Sequence, residues 1–254
     1  MQRRFKLREL PSQAAALARV LLRLSMLKRP LSVLACYLRR RSPGTVDLKC
    51  GLRVVLSPHP HDIVTVFVVF LKRDYGRVRP GGVVFDVGAN IGAFALYAAA
   101  SGAERVYAFE PSREAFATLC ANVRTNGLEG VVVPVNRAVG SVDGATVRFP
   151  SRSSPYNRIK DAAKADGACD EVRTVSLGAF MRERGIVRVD LLKMDCEGGE
   201  FDILPAMEAE ALGRIGEVRM ECHGAPDALV ARLRDEGFRM KRKRGQTVWL
   251  TREP

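Results

Sequence analysis

The stretch 83–96, VVFDVGANIGAFAL, decides how the rest of the chain is read. Residues 83–87 are a short apolar run of β-branched and aromatic residues, which predicts a buried strand. The run 91–101, IGAFALYAAAS, predicts a helix. Between them, Gly88 and Gly92 allow a tight turn and a close backbone approach to a ligand. The helix that follows presents free N–H groups and the positive end of its dipole. A pyrophosphate-binding turn would have the pattern G-x-G-x-x-G, but Asn90 stands at its middle glycine and Asp86 precedes the turn. An acid there suits a ligand with a positive amino group better than a pyrophosphate. S-adenosylmethionine is such a ligand, with an ammonium, a carboxylate and a sulfonium.

Outward from this turn the pattern is regular. RVYAFE (105–110) reads as a strand and SREAFATLCANVRTNG (112–127) as a helix stopped by Asn126-Gly127. VVVPVN (131–136) reads as a third strand, and SVDGATVRFP (141–150) as an Asp-Gly turn with an extra strand. Residues 151–171 are polar and irregular, a candidate lid or binding loop. VDLLKMD (189–195) and EVRMECH (217–223) are further strands, PDALVARLRDEG (226–237) is a helix, and FRMKRKRGQTVWLT (238–251) closes the chain as two strands around a basic turn. Upstream, VDLKCGLRVVL (46–56) predicts a hairpin turning at Gly51, and DIVTVFVVFLKRDYG (62–76) a helix ending near Gly76. Strands that alternate with helices imply an α/β fold, a mostly parallel sheet with an antiparallel strand near the C-terminus.

In such sheets ligands bind outside the carboxyl ends of the strands. Asp86 to Gly88, Glu110, Asn136, Asp195 and Glu221 to His223 all fall at or near such ends. Glu110 lies 24 residues beyond Asp86, where an acid can accept both hydroxyls of a ribose. The pair FDVGANIG and VYAFEP is much more specific than either half.

VVFDVGANIGAFAL, VYAFEPSREAFATLCANV, NRAVGSVDG and VDLLKMDCEGGEFDIL together resemble the FkbM-type methyltransferases over about residues 46–223. The resemblance implies a Rossmann-like class I methyltransferase fold with a seven-stranded sheet, and O-methylation with S-adenosylmethionine as cofactor. By resemblance, Asp86, Gly88, Ala89, Asn90 and Gly92 hold the methionine end, Glu110 the ribose, and Asn136 to Ala138 border the adenine. Asp195 sits beside the reactive methyl. The sequence departs from the family at SLGAF, where Gly178 replaces a frequent Asp, and in the upstream helix, where a common Glu is apolar.

Methyl transfer to a hydroxyl is an in-line displacement that also needs the hydroxyl proton removed. Asp195 and His223 are the expected bases, with Glu197 and Glu221 as second choices; Lys193 is expected to pair with a carboxylate. Asp195, Glu197, Glu221 and His223 could also ligate a metal, but no spacing demands one and none is expected. His59 and His61 are read as part of a rigid loop between prolines.

The 254 residues carry a formal net charge of +13. Residues 1–41 hold eleven Lys/Arg and one acid, Glu9, so about ten of those charges sit in an N-terminal arm. The remainder, 46–254, is read as a single methyltransferase domain behind a basic helical arm, 1–45. The near-balanced body argues against a nucleic-acid binder. The arm alternates leucines and arginines, which fits either a helix docked on the core or one lying on an anionic membrane. No run of 18 apolar residues is present, and the six cysteines show neither CxxC nor zinc-type spacing, so a reducing cytoplasm is expected, with peripheral contact at the inner membrane face as an option. The expected acceptor is a hydroxyl of a saccharide, a glycolipid or another small molecule. A tRNA methyltransferase is the first alternative; the chain lacks the N/D-P-P-Y type motif of amino-methylating nucleic-acid enzymes and any recognisable RNA-binding module. A noncatalytic cofactor-binding membrane adaptor is the second.

Overall fold

A computed structural model describes residues 23–150 and 169–252. The expected strand at 83–87 is β3 (Val83–Val87), after a hairpin of β1 (Thr45–Asp47) and β2 (Arg53–Val55). β3 is an inner strand of a seven-stranded sheet. It is flanked on one side by β4 (Arg105–Phe109) and β5 (Val132–Val135), and on the other by β9 (Val189–Met194) and β10 (Ile215–Glu221). The last two strands, β11 (Phe238–Arg244) and β12 (Thr247–Arg252), complete the edge in the order β11-β12-β10-β9-β3-β4-β5. β12 alone runs against the others.

Parallel neighbours force crossover helices onto both faces. These are α3 (Ala93–Ala100) after β3, α4 (Arg113–Thr125) after β4, and α5 (Leu177–Glu183) before β9. β9 is followed by α6 (Glu200–Ala206) and α7 (Ala209–Gly213), and β10 by α8 (Asp227–Asp235). Two large apolar clusters result, one on each face of the sheet, containing Leu96 and Leu119 on one side and Phe85 and Phe180 on the other. Ser112 caps α4 and Ser176 caps α5.

Several expectations need correcting. The upstream helix, α2 (Asp62–Val66), continues as a π-helical turn over Phe67–Lys72 and stops there, with Arg73 left-handed at φ 53°. Apolar residues occupy nearly every position, so periodicity marks neither the π turn nor the end. The extra strand is present as β7 (Thr146–Pro150), but it belongs to a separate small sheet with β6 (Ala138–Val139) and β8 (Cys169–Val175), in the order β6-β8-β7. Residues 169–171 are therefore strand rather than irregular loop; 151–168 lie outside the described residues. The basic run is not a turn: Lys241 to Arg244 lie within edge strand β11, where charge protects an open edge.

The described part of the arm docks on the core, one of the two readings open in the sequence. Residues 1–22 lie outside the described part. The rest of the arm, including α1 (Pro30–Leu38), packs on the domain: Leu27 and Val33 belong to the same apolar cluster as Val46 and Leu96. Pro30 starts this helix, in the first-turn position that proline tolerates. The hairpin is fastened by Asn122 of α4. Its amide accepts from Val55 N at 2.6 Å and donates to Val55 O at 2.9 Å and to Ile91 O at 2.8 Å.

Candidate active site

The carboxyl ends of β3, β4, β9 and β10 open into one crevice of about 1450 Å³. At β3 the chain leaves the sheet by pairing Gly88 N and Ala89 N with Phe109 O, at 3.1 and 3.0 Å. Gly88 has φ 72°, and a Cβ there would overlap the backbone oxygen of Asp195. Asn90 is itself left-handed at φ 50°, a conformation that asparagine tolerates better than most residues. At Gly92 (φ 83°), a Cβ would overlap Leu119. Both glycines are thus fixed by packing beneath the turn, and that packing keeps the turn low enough to form the crevice floor.

Gly88, Ala89, Asn90, Glu110, Ala138 and Asp195 line the crevice; Asp86, Gly92 and Asn136 do not. Asp86 is fully buried under the turn, 2.9 Å from Lys193 Nζ, which also donates to Gly88 O at 3.0 Å. Burial opposes the charge on Lys193, but Asp86 and Asp195 outweigh it and hold its pKa above the ordinary lysine value. The pair buttresses the glycine turn from below. Asn136 braces the next turn, donating to Glu110 O at 2.9 Å and Pro111 O at 3.2 Å.

Glu110 shows why an acid sits at this strand end. Its two carboxylate oxygens accept from Asn90 N at 2.7 Å and Ser112 N at 2.8 Å, which ties the β3 and β4 turns together. Burial pushes its pKa up to about 7, against the pull of those N–H donors.

At the far end of the crevice, Asp195, Glu197 and His223 meet. One ligand-type atom from each lies within 4.8 Å of the others. His223 Nε2 is 3.4 Å from Glu197 Oε1, and Nδ1 is 3.5 Å from Glu200 Oε1. Glu197 is left-handed at φ 54°. Glu200 is fully buried and turns back to accept from Cys196 N at 3.0 Å, which makes it part of the loop's internal bonding. Glu221 also faces this group; burial and then Asp195 raise its pKa above the usual carboxylate range.

Sequence reasoning missed Tyr75. Its hydroxyl donates to Asp195 Oδ2 at 2.7 Å, and its ring lies under Lys193 Nζ, 5.2 Å from the centroid. Its backbone oxygen accepts from Arg219, a buried arginine paired with Glu217. Nothing local distinguishes Tyr75 in the sequence; the contact spans 120 residues. Gly178 lies away from the crevice, and a Cβ there would stand 3.3 Å from that of Ala211. The trio is the one metal-type group among the described residues, and it includes neither His59 nor His61.

A glycine turn over a buried ion pair, an acid ending the second strand and acids ending the fourth, on this strand order, define a Rossmann-like methyltransferase. Residues 86–240 match the family model described as the methyltransferase FkbM domain, and the chain belongs to that family. Membership carries the cofactor that the resemblance implied, S-adenosylmethionine. The chain is 34% identical over 205 residues to 31-O-demethyl-FK506 methyltransferase FkbM of Streptomyces tacrolimicus, covering 67% of this chain and 79% of that one. It is 28% identical over 145 residues to hexuronic acid methyltransferase AglP of Haloferax volcanii, 57% of each chain. Among solved structures it resembles methyltransferase FkbM from Methylobacillus flagellatus KT, at 16% identity and a TM-score of 0.46, over 88% of this chain and 59% of that one. The chain spans 54% to 64% of the first four solved structures it matches.

Proposed function

We propose that this methyltransferase transfers the methyl of S-adenosylmethionine to a hydroxyl of an uncharged small molecule, a saccharide or glycolipid among them. Bound cofactor supplies an electrophilic methyl on a sulfonium. The crevice wall of Gly88, Ala89 and Asn90 would hold its methionine end, with Asp86 and Gly92 supporting that turn from behind. Glu110 would take the ribose hydroxyls and Ala138 would lie by the adenine, with Asn136 bracing Glu110. The acceptor hydroxyl would then meet Asp195, Glu197 and His223. The Asp195 carboxylate keeps one oxygen for Tyr75 and offers the other to the hydroxyl proton; His223 Nε2 is the second acceptor for it.

The observation that carries this reading is the charge of the crevice. Among its described lining residues, Lys193 is the only Lys or Arg, and it is paired with Asp86, while Glu110, Asp195, Glu197, Asp202 and Glu221 are all acids. No unpaired Lys or Arg among these residues would meet a phosphate, which weighs against RNA. Intact acids at the expected strand ends weigh against a noncatalytic adaptor. Asp195→Asn and His223→Ala are each expected to lower turnover by about 10²–10⁴-fold while calorimetry still detects S-adenosylmethionine binding. Full turnover in both would refute the assignment.

We also infer a membrane-facing side. Leu31 and Leu38 of α1 are 80% and 71% exposed, and Lys28, Arg29 and Arg39 to Arg41 around them are exposed too. No helix among the described residues is long and apolar enough to cross a membrane; contact of this kind would be peripheral.

A further inference from the structure

We propose that Asp195, Glu197 and His223 form a divalent-cation site at the acceptor end of the crevice. The proposal rests on the reading of this end as the acceptor's and changes how its residues act. The donor set is mixed, two carboxylates and one imidazole from two strand ends, and each contributes an atom within 4.8 Å of the others. Bonds of about 2.0–2.3 Å place neighbouring ligands of an ion about 3 Å apart and opposite ones about 4–4.6 Å apart. Small side-chain rotations would therefore close the set.

Three further observations point to a cation here. First, Asp195, Glu197, Glu200 and Glu221 surround one imidazole, while the nearby Lys193 is engaged by Asp86. Carboxylates crowded at this density repel one another unless positive charge is supplied. Second, His223 Nδ1 is a buried atom with no hydrogen-bond partner, 3.5 Å from the fully buried Glu200. A carboxylate behind an imidazole is the arrangement that orients a ligating histidine. Third, Tyr75 fixes one oxygen of Asp195 at 2.7 Å, which leaves the other for a ligand. Oxygen-rich donors with one nitrogen suit a Mn²⁺- or Mg²⁺-class ion. The ion would hold the acceptor oxygen and acidify its hydroxyl, whose proton would leave to water. Asp195 and His223 would then act as ligands rather than as free bases.

The test is Mn²⁺ binding to the full chain without cofactor, followed by electron paramagnetic resonance. One Mn²⁺ per chain is expected, with affinity at least ten-fold weaker in Glu197→Gln and in His223→Ala. No Mn²⁺ bound to the unaltered protein would overturn the site, and so would binding that both variants retain. Calorimetric titration of the same preparations with S-adenosylmethionine separates the two readings. Mn²⁺ bound at the trio without cofactor binding would keep the ion site and reject the methyltransferase reading; cofactor bound without Mn²⁺ would do the reverse.

Discussion

Glu110 holds two turns together through Asn90 N and Ser112 N, and burial raises its pKa to about 7. Its ordinary value is 4.5, so the folded protein favours the protonated form. The linkage has a definite sign: Glu110 favours folding most below about pH 4.5, and that contribution is lost as pH rises through about 7. A ribose that donates two hydroxyls favours the ionised form instead. S-adenosylmethionine affinity is therefore expected to rise about five- to ten-fold between pH 6 and pH 8. In Glu110→Gln the affinity should be weaker and flat with pH. Calorimetry at the two pH values checks both. The place of Glu110 at a strand end and on the crevice was legible in the sequence. Its bond to Asn90 N was not, because that contact depends on the left-handed turn at Asn90.

At the scale of elements, the clearest joint is Asn122, which ties α4 to the β1–β2 hairpin and to the turn after β3. Asn122→Ala would leave the half-buried Val55 N and the buried Ile91 O without these partners, at a cost of about 2–4 kcal/mol. Thermal melts should show a fall of about 5–10 °C, with no large change in cofactor affinity. A melting temperature unchanged within about 1 °C would mean that the hairpin is held by other contacts. The strands and helices around the sheet were readable because their patterns are short and end at turn signals such as Asn126-Gly127. The small sheet was not readable, since β6 and β7 find their partner β8 only across the 151–168 segment. The Tyr75 contact to Asp195 was hidden for a similar reason, since it spans 120 residues.

For the whole molecule, basicity and acidity are segregated. The crevice lining is acidic, whereas α1 and its flanks present exposed Lys28, Arg29 and Arg39 to Arg41 beside Leu31 and Leu38. α1 is joined to the crevice side through Tyr37 against Phe67, 5.6 Å between ring centroids, on the helix whose Val64 and Val68 line the mouth. An anionic bilayer held at α1 would bring a lipid-borne acceptor close to that mouth. Sedimentation with vesicles rich in phosphatidylglycerol should carry the protein down, and phosphatidylcholine vesicles or high salt should not. Leu31→Glu with Leu38→Glu should weaken the binding at least several-fold. Equal sedimentation with both lipids would contradict an electrostatic contact.

The most direct measurement is transfer of labelled methyl from S-adenosylmethionine into extract of the organism that encodes this chain, separated afterwards into lipid, saccharide and RNA fractions. Label is expected in a lipid or saccharide fraction, bound through an ether that resists mild base, and absent with Asp195→Asn. Label confined to RNA, or equal labelling by the Asp195→Asn protein, would contradict hydroxyl methylation in this crevice.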